Sequence, residues 1–230
     1  MHELDRPVWA SLTTSHAPLA EGDERARRFM RDVNLFASAR DDGADALHAL
    51  AALVRPGERI YILQVPAIVV PPGLLRAKAA GGVQMVATRP LTDELGDEAA
   101  LLTDADAPEM LALATLTQPG PFLTRTHHMG RFLGIRRHGR LVAMAGERMR
   151  FPGYTEVSGV CTHPDFRGHG FARRLSTAVV AAVQGRGERA FLHAWSTNAP
   201  AITLYRSLGF ELRAEVNVAV LEHDLDRQSS

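Results

Sequence analysis

Val157-Ser158-Gly159-Val160-Cys161-Thr162-His163-Pro164-Asp165-Phe166-Arg167-Gly168-His169-Gly170-Phe171-Ala172 reads as a strand that enters a helix through a compact glycine turn. The strand is expected over 154–162 and stops at Pro164, whose missing N–H cannot continue a ladder. The helix is announced by Phe171, Leu175, Ala178, Val179 and Ala182 at helical spacing, and Gly185 and Gly187 end it. The first N–H groups of a helix have no internal partner and carry partial positive charge, so such a turn binds an anion such as phosphate. Gly168, Gly170 and Ala172 keep the approach open, and Arg167 adds formal charge. By itself the turn is also compatible with an ordinary strand-to-helix connection. A Walker A loop would need Gly-Lys-Ser/Thr, and the dinucleotide fingerprint would need a small residue where Arg173 stands.

Working outward, 190–195 is a short apolar strand, Asn198 and Pro200 open a helix that runs to Ser207, and Gly209 ends it. Over 210–221 the apolar Phe210, Leu212, Ala214, Val216, Val218 and Val220 alternate with Glu211, Arg213, Glu215 and Asn217, the pattern of a half-buried strand. Upstream, 131–137 and 141–149 flank His138-Gly139 and predict a hairpin, followed by a turn at Phe151-Pro152-Gly153. Before it come a short strand at 99–103 and a helix ending near Thr117, which Asp104 or Asp106 would cap ahead of Pro108.

Two of these segments carry a family likeness. Arg167-x-x-Gly170-x-Ala172 resembles the pyrophosphate-binding signature Arg/Gln-x-x-Gly-x-Gly/Ala of the GNAT superfamily of acyltransferases, and it follows a strand as that family requires. Asn198-x-x-Ala201-x-x-Leu204-Tyr205-x-x-x-Gly209-Phe210 is similar to a second element of the same superfamily. The likeness covers residues from about Ala99 to Asp224, and the run from Glu156 to Gly170 most resembles the FR47-like branch. It implies a mixed α+β or α/β fold with a mostly antiparallel central sheet flanked by helices. It also implies a cleft where two central strands splay around an acyl-CoA, with acetyl-CoA the first choice of donor and a longer acyl chain the alternative. The acceptor would be an amine of a small molecule or peptide. A module that binds acyl-CoA without catalysis is the competing reading.

Within that frame Val160, Cys161 and Thr162 lie beside the acyl end, and Arg167, Gly168, His169, Gly170, Phe171, Ala172 and Asn198 contact the donor. Backbone groups of 160–162 would polarise the thioester carbonyl. Tyr205 corresponds to the tyrosine that the family uses to protonate the departing thiolate. Glu156, in the glutamate position of the histone-acetyltransferase branch, is the first candidate base and Glu147 the second, with water as the third route. Strand alternation puts Glu156 on one face with Ser158, Val160 and Thr162. It puts Cys161 on the other, as a small packing residue rather than a nucleophile. The ten histidines, among them His127, His128, His163 and His169, show no spacing that gathers ligands, so no metal is expected. Arg136 and Arg137 read as a solvated strand face.

The N-terminal part is less legible. Residues 1–39 are rich in charge and poor in apolar pattern; 44–54 is a short amphipathic helix; 59–65 and 83–88 are strands. Pro90–Gly96 reads as a linker, which divides the chain into an accessory α/β domain at 1–93, for which the family likeness allows a degenerate acyltransferase fold, and an acyltransferase domain at 94–230. With 26 basic and 26 acidic residues there is no global field for nucleic acid or anionic lipid. No stretch is long and apolar enough for a membrane span, a signal peptide is not evident, and Cys161 is the single cysteine, so a cytoplasmic protein is expected. A homodimer is left open.

Overall fold

The computed structural model describes residues 2–93 and 95–224; Met1, Glu94 and 225–230, which fall in the expected ranges 1–93 and 94–230, lie outside the described residues. In chain order the elements are α1 (Pro7–Thr13), β1 (Ala20–Gly22), β2 (Ala26–Phe29), β3 (Ala37–Ala39), α2 (Ala44–Ala52), β4 (Arg59–Gln64) and β5 (Leu74–Ala87). They continue with β6 (Ala99–Leu102), α3 (Ala107–Thr117), β7 (Phe132–Arg137), β8 (Arg140–Phe151), β9 (Tyr154–Thr162), α4 (Phe171–Gly185), β10 (Arg189–Trp195), α5 (Ala199–Ser207) and β11 (Phe210–His223). No helix among the described residues is long and apolar enough to cross a membrane.

The local signals named above sit where the sequence puts them. His138 and Gly139 both take positive φ, the requirement of a two-residue hairpin turn, and join β7 to β8 through the pair Arg137↔Arg140. The stripe of α4 buries Phe171, Leu175, Ala178, Val179 and, one residue on from the expected Ala182, Val183. The cap of α3 differs from expectation. Asp106 gives no cap bond to α3; its carboxylate instead accepts from the N–H and hydroxyl of Thr103 and from Arg136. Arg136 also pairs with Glu109, and Arg137 pairs with Glu98 and lies over the Phe171 ring, so neither is a free surface charge.

Eight strands form one sheet in the order β4-β11-β5-β10-β9-β8-β7-β6, and β1-β2-β3 form a small antiparallel sheet beside it. All neighbours in the large sheet are antiparallel except β9 and β10. This is the mixed, mostly antiparallel sheet flanked by helices that the family likeness implies.

The boundary expected at residue 93 does not separate two sheets. β5, from the N-terminal part, lies between β10 and β11, and β4 pairs with the outer side of β11. Only 83–88 of β5 carries strand-forming residues; Leu74–Gly82 is extended because β11 pairs with it along nearly its whole length. The supposed linker is also tied down. Leu95 is in the core, the Leu91 N–H donates to Gln184, and Arg89 donates to the Ser207 carbonyl at the end of α5.

Met85 and Ala87 pack with α4 and α5 on one side of the sheet, while Val86 packs with α1 on the other, as strand alternation demands. α3 covers Phe132, Leu141, Met144 and Cys161.

Candidate active site

β9 and β10 pair only from Tyr154↔Arg189 to Glu156↔Phe191, although both strands run on to Thr162 and Trp195. They therefore splay after Glu156. At the same point β9 carries a bulge: Ser158 faces Gly146 and Cys161 faces Met144, so Gly159 and Val160 together stand opposite Ala145. Gly159 holds φ at +63°, and a Cβ there would meet Phe132 Cε1 at 2.8 Å. Backbone groups at 159–160 are thus released from one ladder by the bulge and from the other by the splay.

The bulge also corrects the expected faces. Because it inserts one residue, Glu156 and Ser158 share the face of Cys161, and Thr162 lies on the opposite one. Cys161 is buried against α3, and burial, only partly offset by hydrogen bonds from Thr117 and Met144, pushes its thiol up to about 11. It is no ready nucleophile.

A groove of about 620 Å³ runs from the splay over the glycine turn, with Val160, Thr162, Arg167, Gly170 and Ala172 in its wall. The first bond of α4 is Arg174 N–H to Gly170 O at 3.1 Å, which leaves the N–H groups of Phe171, Ala172 and Arg173 without a helical partner. Gly168 and Gly170 have φ of +82° and +75°. Arg167 is exposed and its guanidinium has no partner among the described residues. Thr162 Oγ1 is buried and unpartnered on the groove side. Free N–H groups, an unpaired guanidinium and an orphaned hydroxyl are the donors a pyrophosphate and pantetheine chain require, so the residues fit an acyl-CoA. His169 stacks on Phe171 and its Nδ1 is 3.1 Å from the Phe166 and Arg167 carbonyls; it braces the turn and does not line the groove.

A second cavity of about 170 Å³ adjoins this groove, sharing Gln118, Pro119, Val160 and Asn198 with it. Asn198 caps α5 through Oδ1, which accepts from the Ala201 N–H at 3.2 Å. Tyr205 lines the second cavity. Its ring is buried, its hydroxyl has no partner among the described residues, and burial pushes the phenol up to about 12. Phe36, Tyr61, Leu63 and Gly82 complete the wall from the N-terminal part.

Glu156 lies behind this cavity, bonded to its lining residues Arg148 and His193, but not as a free base. It is fully buried, and its carboxylate accepts from Arg148 Nε at 2.8 Å, Arg148 Nη2 at 2.6 Å, His193 Nδ1 at 2.7 Å and the Met149 N–H at 3.3 Å. Burial alone would raise its pKa; the charge and hydrogen bonds of Arg148, with the hydrogen bond from His193, outweigh that and hold it at about 2. Gln84 fixes the imidazole: its Oε1 accepts from Arg213, so its Nε2 donates to the Leu4 carbonyl and to His193 Nε2, and His193 Nδ1 carries the hydrogen given to Glu156. Glu147 lies on the other face of β8 and pairs with Arg186 at 2.9 Å, away from both cavities.

Arg148 and His193 line the cavity and were not singled out in the sequence. Arg148 had one signal, a charge next to Glu147 inside the otherwise uncharged strand 141–149. The structure also gathers three groups whose spacing suggested nothing: Asp104, His127 and His128 bring one donor atom each to within 4.8 Å of one another. The arrangement closes on itself, because Asp104 Oδ1 sits 2.8 Å from His127 Nε2 and 3.2 Å from His128 Nε2, and Arg125 faces His128 Nδ1.

Comparison with known proteins agrees with this geometry. The model of the family described as FR47-like protein matches residues 132–219. A GNAT-family structure from Novosphingobium aromaticivorans is 40% identical over 97% of this chain and 100% of its own, with a TM-score of 0.92. The chain therefore belongs to the GNAT family, whose acetyltransferase fold it shares. A GCN5-related N-acetyltransferase from Kribbella flavida has the same fold at 19% identity, with a TM-score of 0.67 over 97% of this chain and 96% of its own. No curated protein matches the chain.

Proposed function

We propose that this protein is an N-acyltransferase that moves an acetyl group from acetyl-CoA to the amine of a small molecule. The observation that carries the reading is the continuity between the anion-binding turn at 167–172 and the cavity under Tyr205, joined at the splayed, bulged strand at Val160. The donor would supply a thioester carbon. The turn and Arg167 would hold its pyrophosphate, and the freed backbone N–H groups near Val160 would bind the carbonyl oxygen as charge builds on it. Attack by the amine forms the C–N bond as the C–S bond breaks, and the sulfur departs as thiolate. Tyr205 keeps its proton at neutral pH and stabilises that sulfur by hydrogen bonding. With Glu156 pinned and Glu147 on the far face, the amine's proton leaves to water.

The size of the cavity, about 170 Å³, favours a small acceptor over a peptide. The test is a calorimetric titration with acetyl-CoA and CoA of the wild type and of an Arg167→Ala, Gly170→Glu variant, followed by CoA release with an amine panel. Binding that the variant loses, with turnover, is expected. Binding without turnover of any amine would favour a non-catalytic acyl-CoA module, and no binding by the wild type would sink the reading.

A further inference from the structure

We propose that the acceptor is an amine that also carries a carboxylate, and that Arg148 is the group that receives it. This rests on the reading of the Tyr205 cavity as the acceptor site. Arg148 is 9% exposed and lines that cavity. Two of its three nitrogens are spent on Glu156, and the guanidinium lies over the Phe36 ring at 5.0 Å from its centroid. The third, Nη1, has no partner among the described residues and lies beside Gly120 of the cavity wall, 3.7 Å from where a Cβ on that glycine would stand.

A guanidinium held in this way loses little freedom when it binds, and its remaining Nη1 can donate a charge-assisted hydrogen bond to a carboxylate. The surroundings discriminate further. No Asp, Glu or Lys lines the cavity among the described residues. An acceptor bearing only positive charge, such as a polyamine or a lysine side chain in a basic peptide, would find no counter-charge there and would face Arg148. A zwitterion would have its anion paired while its amine points to the splay. Tyr61, Leu63, Val216 and Val218 give one part of the wall an apolar surface, which suits an α-amino acid with an apolar side chain.

The experiment compares matched acceptors on the full-length protein: phenylalanine against phenylalaninamide, and leucine against leucinamide, with acetyl-CoA as donor and CoA release as readout. Per free amine at the assay pH, each acid should exceed its amide in kcat/KM by roughly tenfold or more, because the amide leaves Arg148 Nη1 without an anionic acceptor. In Arg148→Lys the preference should shrink, and in an Arg148→Met, Glu156→Gln variant, which removes both buried charges, the ratio should fall toward one. Acetyl-CoA calorimetry on each variant reports whether the donor site is folded. Amides used as well as the acids, or no acid turned over while acetyl-CoA binds, would overturn the proposal and leave the donor reading intact. Absence of acetyl-CoA binding to the wild type would remove both.

Discussion

Arg148 and Glu156 face each other from neighbouring strands through two parallel hydrogen bonds, Nε to Oε2 at 2.8 Å and Nη2 to Oε1 at 2.6 Å. The pair begins a chain of buried polar groups. Glu156 accepts from His193, His193 from Gln84, Gln84 from Arg213, and Arg213 donates in turn to Asp5 at 2.6 Å, so the cavity wall is fastened to the first turn of the chain. A network so connected holds its members in one arrangement.

Because Glu156 is depressed to about 2 in the folded protein, it contributes stability that is present above its unfolded pKa of about 4.5 and lost as pH falls from there toward 2. Glu156→Gln should lower stability at pH 7 by about 3 kcal/mol, the size that such a shift corresponds to. The loss should disappear on acidification, since the wild-type carboxylate is then protonated too. Denaturant melts of both proteins between pH 2 and pH 7 check this. A difference that does not change with pH would contradict the assignment.

The same pinning fixes the pH dependence of turnover. With no free carboxylate at the cavity, kcat/KM should rise with pH in proportion to the free-amine fraction of the acceptor and level off at that amine's own pKa. Two acceptors of different basicity should therefore give profiles displaced by their difference. A shared inflection between pH 4 and pH 7 that Glu156→Gln abolishes would instead make Glu156 the base.

Tyr205→Phe removes a hydroxyl that has no partner among the described residues. The melting temperature should hardly move, and acetyl-CoA affinity should stay within about twofold, while kcat falls roughly ten- to hundredfold. Calorimetry with steady-state kinetics separates the two. Unchanged kcat would leave Tyr205 as a packing residue.

Gly159 is expected to tolerate no side chain. At φ +63° and 2.8 Å from Phe132, an alanine Cβ strains the backbone and displaces a buried ring, a change of about 1–3 kcal/mol in thermal unfolding. The bulge would relax with it, so activity should fall further than stability alone explains. Circular-dichroism melts alongside kcat measure both.

Much of the donor site was legible because its signals are local. Arg167-x-x-Gly170-x-Ala172 and the Asn198–Phe210 element each lie in one continuous segment, and the hairpin at His138-Gly139 is fixed by its own turn. The acceptor side was not, because its parts meet through pairings far apart in the chain. Strand alternation put Glu156 and Thr162 on one face, and a single extra residue at Gly159–Val160 moved them to opposite faces. Nothing near Glu156 in the sequence announces His193 or Gln84. Leu74–Gly82, which ends in Ala-Lys-Ala-Ala-Gly-Gly, carries no strand signal of its own and becomes a strand only between its neighbours.

That last pairing bears on whether the two expected domains can part. Residues 94–230 would lack β5, which closes the sheet between β10 and β11 and buries Gln84, Met85 and Val86. Without it, facing edges of β10 and β11 would be left unpaired, and the apolar residues beneath them exposed. The fragment should therefore show no cooperative unfolding transition and should bind a hydrophobic dye, whereas the full chain melts as one unit. Circular dichroism and dye fluorescence on the two proteins are sufficient. A fragment that melts cooperatively and binds acetyl-CoA would restore the division at residue 93, and would mean that β11 finds another partner when β5 is gone.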